Sequence, residues 1–311
     1  MSGRVLVAGD ANLDLVLRGD VRPRFGQAEQ FLTNAELVLG SSAGICAAGL
    51  ARLGMDVGLV ARVGDDFFGT HTRGLLAAAG VDVAELRTMV GPTGLSVILS
   101  GAEDRSILTL PGAMATLTVA DVRDAVARTG ATHLHVASFF LIPDFARSLP
   151  GLLADLRRDG VTTSLDPNWD PAERWAGVAE CLPHLDILLP NAAEAAELAA
   201  AIQGRRAPDP VAAARVLALS GPTVVVKDGA AGGFIVAGEQ LVRAPGLPVE
   251  VVDTTGAGDS FDAGFLAARL GGADLTESLA WATAAGSLST TGAGGTGRQA
   301  DRDRLLAALG R

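Results

Sequence analysis

Short runs of aliphatic and β-branched residues alternate with longer stretches whose apolar positions recur at helical spacing, and this rhythm carries through most of the chain. Arg4 to Gly9 reads as a first strand, and Leu13 to Arg18 continues extended after the polar interruption Asp10-Ala11-Asn12. Val57 to Val63, His133 to Ala137, Thr162 to Leu165, Leu185 to Leu189 and Thr223 to Val226 read as further strands. The spacing predicts helices over Ile45 to Leu53, Thr70 to Ala79, Asp121 to Thr129, Ser148 to Arg158, Phe261 to Leu270, Thr276 to Leu288 and Arg302 to Leu309. Strand and helix in repeated alternation predict a mostly parallel sheet with helices on both faces, whose ligand crevice lies at the carboxyl ends of the strands.

Four β-rich runs fall outside that alternation: Leu15 to Arg18, Phe31 to Leu39, Thr93 to Leu99 and Ser106 to Leu110. The last two flank the polar stretch Ser100 to Arg105 and read as a hairpin. Together they predict a small second sheet, from segments 13–39 and 89–112, on a single domain spanning 1–311. Phe234 to Val236 and Glu239 to Arg243 read as another hairpin, around Ala237-Gly238.

Composition narrows the class. With 311 residues and 49% hydrophobic content the chain can bury a full core. Cys46 and Cys181 stand far apart without ligand-like spacing, which predicts two buried thiols rather than a disulfide or metal site. No run of about 18 uncharged apolar residues is present to span a bilayer. The chain runs straight into Val5 without a basic leader, so the expected location is the cytoplasm. A formal charge of −10 argues against nucleic acid or an anionic membrane as partner. It leaves room for a nucleotide, whose phosphates need only a local field. Lys227 is the only lysine among 25 basic residues, a compact ammonium where every other cation is a guanidinium.

The densest chemistry lies in Val252 to Phe261. Leu247 to Val252 reads as a strand or the end of one, which puts Gly256-Ala257-Gly258 at a strand-to-helix junction. A loop without bulky side chains lets backbone N–H groups converge, and the helix behind it adds the positive end of its dipole, so the junction suits an oxyanion. Asp259 at the helix start is either a cap or a base for a hydroxyl attacking phosphorus. Asn12 and Asp14 share a parity on an extended segment and suit a pocket that grips hydroxyls, although Asp10 and Asn12 also suit an Asx turn. Ser41 or Ser42 suits the cap of the next helix. Asn191 and Glu194 complete a capping box, and the same groups can position hydrated magnesium. Lys227 either approaches phosphates or pairs its charge elsewhere. Arg105 is expected at solvent or a lid edge, with an acidic substrate group as the alternative, and His133 and His135 are expected in structural rather than metal-binding places.

Asp253 to Phe261 resembles the C-terminal signature of the ribokinase-like, or PfkB, family of carbohydrate and nucleoside kinases. The resemblance implies a three-layer α/β fold with a mostly parallel central sheet and a small β lid that keeps water from the transfer. It implies that Asp259 is the general base, with the backbone of Gly256, Ala257 and Gly258 stabilising the transferred phosphoryl group. Gly9 to Asp14 resembles the family's opening G-x-x-x-x-D, so Asp14, with Asn12, would orient the acceptor, together with the small loop Gly40, Ser41, Ser42 and with Ile45. Asn191 and Glu194 resemble its N-x-x-E and would act on magnesium through water. Lys227 to Gly232 resembles its v-v-v-[TK]-x-G-x-x-G turn, which places Lys227, Gly229, Gly232 and Thr254 at the nucleotide. Asp253 and the last Gly-rich loop, Ser289 to Gly297, would hold a monovalent cation such as potassium.

The faults in the match fall at the acceptor. Ser41 replaces a Gly, Ile45 and Met114 each stand where Asn is expected, and Trp169-Asp170 follows Asp166-Pro167-Asn168 where many sugar kinases have an Arg. The implied function is ATP- and magnesium-dependent phosphorylation of a primary hydroxyl on a sugar, sugar acid or nucleoside-like molecule, by an enzyme able to pair through its lid into a homodimer. Two rivals differ in class: a non-catalytic sugar or nucleotide sensor on the same fold, and an oxidoreductase, which the first strand disfavours by lacking G-x-G-x-x-G.

Overall fold

The computed structural model describes residues 3–101 and 105–311. Its first seven strands are β1 (Val5–Ala8), β2 (Asn12–Gly19), β3 (Leu32–Leu39), β4 (Val57–Gly64), β5 (Leu86–Met89), β6 (Gly94–Ser100) and β7 (Arg105–Leu110). β8 (His133–Val136), β9 (Thr162–Leu165), β10 (Ile187–Leu188), β11 (Thr223–Lys227), β12 (Gly233–Ala237) and β13 (Gln240–Ala244) follow. The helices are α1 (Ser42–Arg52), α2 (Phe67–Ala78), α3 (Val119–Thr129), α4 (Pro143–Arg158) and α5 (Val178–Cys181). α6 (Ala192–Gln203), α7 (Pro210–Ala218), α8 (Ala257–Leu270), α9 (Leu275–Ser289) and α10 (Arg302–Ala308) complete the set among the described residues.

The main sheet has the order β13-β12-β11-β10-β9-β8-β1-β4-β5, parallel from β5 through β11 and antiparallel at its β12–β13 end. Successive strand residues face opposite sides, and the sequence fills both sides with apolar groups. Val5 and Val7 of β1 and Val225 of β11 join a core with α1, α8 and α9. Leu6 and Ala8, with Val224 and Val226, join a second core against α3, α4, α6 and α7. Three layers result, as the alternation predicts.

Tight contacts through small residues set the pitch of α8. A Cβ on Gly49 of α1 would lie 2.7 Å from the Cβ of Ala263, and one on Gly264 would lie 2.7 Å from the carbonyl of Trp281 in α9. Glycine is what lets the three helix backbones approach, and that approach fixes where the first turn of α8 points.

The second sheet has the order β3-β2-β6-β7 and covers the carboxyl end of β1 as a lid. The hairpin β6–β7 forms in antiparallel register, Ser100 opposite Arg105, while part of its predicted turn, residues 102–104, lies outside the described residues. Several boundaries differ from expectation: α1 begins at Ser42 rather than Ile45, α8 at Ala257 rather than Phe261, and β10 is shorter than expected. α4 begins at Pro143 rather than Ser148, because proline at a helix start has no N–H to satisfy and Phe145 adds to the buried stripe. α2 begins at Phe67, capped by Asp66. Leu247 to Val252 is not a strand: Pro248 interrupts it, and its amides bond to α9 instead, Leu247 N–H to Ser287 Oγ at 3.0 Å and Val252 N–H to the Thr290 carbonyl at 2.8 Å. The glycine junction is therefore coil to helix.

Candidate active site

The signature segment is a wall between two cavities. On one side a cavity of about 580 Å³ is lined by Thr254, Ala257 and Gly258, with Lys227, Gly229 and Gly232 on its floor. On the other a cavity of about 260 Å³ is lined by Thr255, Gly256 and Asp259. Gly256 has φ 70°, a left-handed conformation, and precedes the first residue of α8. Among the described residues, Ala257 N–H reaches the Thr254 carbonyl and Ser260 N–H the Gly256 carbonyl, but the amides of Gly258 and Asp259 have no protein acceptor. Two unpaired donors and a helix N-terminus therefore stand in the wall between the cavities.

The smaller cavity is roofed by the lid and floored by the ends of β1 and α1. Asn12 donates to Asp14 Oδ1 at 3.1 Å and to Ser96 Oγ at 3.4 Å, and Ser96 shares a hydrogen bond with Thr109 at 3.1 Å. A Cβ on Gly40 would fall 2.2 Å from Asp14 Oδ1, so Gly40 backs the pair closely without lining the cavity itself. Ser41 is the side-chain cap of α1, donated to by Gly44 N–H at 3.0 Å. It adopts φ 69°, the region where the family pattern has glycine. Asp10 accepts from the amides of Ser42 and Ala43, so its role is to cap α1 from below. Burial, with the charge of Asp10, pushes the Asp14 carboxyl up to about 7 against hydrogen bonds from Ser96 and Asn12.

Asp259 faces this cavity in the first turn of α8. Burial first, then the neighbouring charge of Asp166, hold its carboxyl well above the ordinary carboxylate value, opposed by Lys227. The neighbouring Ser42 hydroxyl favours its charged form, and Asn168 donates to Ser42 Oγ at 3.0 Å. Asn168 belongs to the Asp166-Pro167-Asn168 segment that the family resemblance places beside the site, but its contact with Ser42, 126 positions away, is not legible from spacing. Ile45 lines the cavity but is also a wedge: a Cβ on Gly256 would lie 3.0 Å from it and one on Gly295 2.4 Å. It fixes the spacing between the signature and the last glycine loop.

Behind the wall sits a buried ion cluster. Lys227 Nζ bonds Asp166 at 2.8 Å and Asp262 at 3.1 Å, and its stem passes beside Gly258. Burial would lower the lysine, yet Asp166, Asp262 and Glu194 hold it above its usual value. The lone lysine therefore pairs its charge while lining the larger cavity. Asp262, in the second turn of α8, has one oxygen buried without a partner among the described residues. Asn191 and Glu194 form the reciprocal capping box, Asn191 N–H to Glu194 Oε2 at 2.8 Å and Glu194 N–H to Asn191 Oδ1 at 2.9 Å. They line neither cavity but stand next to the cluster, since Asn191 pairs with Lys227 through the backbone. Burial and Asp166 push Glu194 up to about 7, the mark of a carboxylate short of positive charge. No three His, Cys, Asp or Glu residues among those described converge on one metal position. A magnesium ion fits here only as one that carries its own waters and phosphate ligands, with Glu194 in the outer shell.

Asp253 is engaged on both oxygens. Thr255 donates its amide and hydroxyl to Oδ1 at 2.9 and 2.7 Å, while Gly294 N–H and Arg18 Nη2 each donate to Oδ2 at 3.1 Å. Arg105 is exposed on β7, the edge strand of the lid, as expected, and from there it also lines the smaller cavity and donates to Thr255 Oγ1 at 3.2 Å. His133 and His135 lie on the central strand β8, buried against Ser164, and burial keeps both neutral, at about 3 and about 4. Cys46 and Cys181 are buried free thiols.

A three-layer α/β fold with a β lid, an anion-accepting helix start and an acidic group facing a hydroxyl-lined cavity define a small-molecule kinase. The sequence profile described as "pfkB family carbohydrate kinase" matches residues 4–301, and the chain belongs to that family. It is an ATP-dependent phosphotransferase acting on a hydroxyl of a sugar or nucleoside. An ATP-dependent ribose-1-phosphate kinase from Halopiger xanaduensis is 32% identical over 92% of this chain and 91% of its own. A putative ribokinase II of E. coli shares the fold at a TM-score of 0.86 and 23% identity, over 99% of both chains. A double mutant of a fructokinase of Vibrio cholerae, solved with fructose, ADP and potassium, does so at 0.81 and 24%, over 99% of this chain and 98% of that one. Among the described residues no helix is long and apolar enough to cross a membrane.

Proposed function

We propose that one kinase domain, spanning the chain, binds magnesium ATP in the larger cavity and a small sugar in the smaller one, and transfers the terminal phosphoryl group through the wall between them. The partition of the signature carries this reading: alternate sides of one short segment line the two cavities. Asn12 and Asp14 hold acceptor hydroxyls, and Asp259 takes the proton from the attacking one. Ser42 and Asn168 keep that carboxylate aimed, and the free amides of Gly258 and Asp259 receive the transferred oxygens. Magnesium, when bound, neutralises phosphate charge, and Glu194 and Asn191 are the residues placed to hold its waters.

The acceptor cavity favours a sugar over a nucleoside. At about 260 Å³ it is smaller than a typical drug-sized site, and no aromatic ring lines it on which a base would stack. Ile45 and Met114 leave part of the wall apolar, which suits a deoxy or otherwise modified sugar. Exposed Leu108 and Leu110 on the β7 edge support pairing with a second copy, and dependence on ATP supports a cytoplasmic site of action. A coupled screen of ribose, fructose, 2-keto-3-deoxygluconate, adenosine, inosine and pseudouridine, with product masses, tests the reading. A single phosphate added to a sugar is the expected result. Turnover confined to nucleosides contradicts the acceptor assignment, and no turnover with any acceptor favours a sensor.

A further inference from the structure

The family resemblance puts an alkali cation between Asp253 and the last glycine loop, and the residues present do not fit one. A carboxylate offers about four lone-pair directions in all. Those of Asp253 already receive four donors: two from Thr255, one from Gly294 and one from Arg18. The contact with Arg18 is built rather than incidental. β2 and β6 are in register with Arg18 opposite Ser100, and Arg18 Nη1 bonds that serine at 3.3 Å, so the strand holds the guanidinium on the signature loop. The other half of the expected cage is stitched in the same way. From α10, Arg304 donates to Thr291 Oγ1 within the last glycine loop at 3.3 Å and to the Arg298 carbonyl just after it at 3.1 Å. Any cation touching Asp253 Oδ2 would displace one of these donors and stand against a fixed guanidinium of like charge.

We propose that Arg18 takes the place of the monovalent cation: its guanidinium neutralises Asp253 and ties the signature loop to the lid, so the enzyme works without potassium. The inference rests on the kinase reading for its rate measurements but not for its stability measurement. Because Arg18 belongs to β2, the same contact makes the geometry of the anion-accepting loop depend on the lid, which a bound ion would not do. A lysine cannot reproduce it, since a point ammonium cannot bridge Ser100 and Asp253 in a planar fork.

The test compares wild type, Arg18→Gln and Arg18→Lys in buffers whose monovalent cation is potassium, sodium or tetramethylammonium at equal ionic strength. Wild-type turnover should stay within about twofold across the three, because no alkali ion enters the site. Arg18→Gln should lose about tenfold or more in tetramethylammonium, with potassium restoring most of it by reoccupying the vacated carboxylate. In parallel, the thermal midpoint of the nucleotide-free protein should be indifferent to potassium in wild type and rise with potassium in Arg18→Gln. Stimulation of wild type by potassium of about threefold or more overturns the proposal, as does an Arg18→Gln enzyme that keeps wild-type rates in tetramethylammonium or ignores potassium. Should Arg18→Gln fail to fold, the wild-type series and Arg18→Lys, expected to regain partial potassium dependence, still decide it. Absence of turnover with every acceptor would count against the kinase reading alone, and the thermal series would then judge Arg18.

Discussion

The two cavities beside the signature are built by opposite means. The larger one is made of glycine backbone and apolar side chains: Gly229, Gly232, Gly258 and Gly286 line it with Leu247, Val249, Val251 and Phe261. The charged group among its described lining residues is Lys227, already paired with Asp166 and Asp262. The smaller one is made of side chains from separate elements, Asp14 on β2, Ser96 on β6, Thr109 on β7, Met114 after the lid and Asp259 on α8. A phosphate needs N–H groups and field, which any residue with the right backbone supplies. A particular sugar needs particular side chains, each placed by a different part of the fold. General chemistry thus resides in one contiguous stretch, and selectivity is scattered.

That contrast can be broken from either side. The largest effect on stability is expected from the phosphate side. Lys227→Met leaves Asp166 and Asp262 buried without a cation, at a cost of about 3–5 kcal/mol in denaturant unfolding. A stability loss below ~1 kcal/mol would show that the cluster is hydrated or protonated instead.

On the acceptor side Gly40→Ala pushes a methyl group into Asp14 and Asn12. Acceptor kcat/KM should fall by about 10- to 100-fold while the nucleotide Kd, from calorimetry, stays put. A matching loss in nucleotide affinity would mean the two cavities are not independent.

The pH dependence sharpens the comparison further. Asp14 titrates at about 7 in the folded state and near 3.8 when unfolded, so the native protein binds more protons between those values. Stability contributed by this group therefore falls as pH rises from about 4 to 7, while acceptor binding, which wants the carboxylate, rises over the same window. Asp14→Asn should flatten the fall in thermal midpoint between pH 5 and pH 8 and abolish acceptor binding. An unchanged pH slope would contradict the buried carboxylate.

The smallest effect is expected at the cap of α1. Ser41→Gly relaxes a left-handed φ and loses a hydroxyl cap worth only a few tenths of a kcal/mol against glycine, so stability should rise by about 1 kcal/mol. Ser41→Ala keeps the strained backbone and drops the cap, and should lose about 1 kcal/mol. Equal behaviour of the two would remove the argument from backbone strain.

The same division explains what could be read before the fold was known. Strand and helix periods, the glycine junction and Asp259 all lie in local sequence, and the lid declared itself as β runs that the α/β alternation left over. The strand expected at Leu247 to Val252 failed because its apolar, β-branched character serves the wall of a cavity and α9 rather than a sheet. Asp262 carries no motif of its own, and its place in the ion cluster comes from Lys227, 35 positions earlier. Arg18 meets Asp253 across 235 positions, and Asn168 meets Ser42 across 126, distances at which no spacing rule operates. Arg105 lies on the exposed lid edge where its polar surroundings put it, but its reach to Thr255, 150 positions on, has no local signal.

The central claim is that Asp259 deprotonates a hydroxyl held on the far side of the signature from the nucleotide. Single-turnover phosphoryl transfer by Asp259→Asn, alongside calorimetric affinities for nucleotide and acceptor, tests it most directly. Transfer should slow by about 10²- to 10⁴-fold with both affinities within about threefold of wild type. Transfer at the wild-type rate, or a loss explained wholly by weaker nucleotide binding, would contradict it.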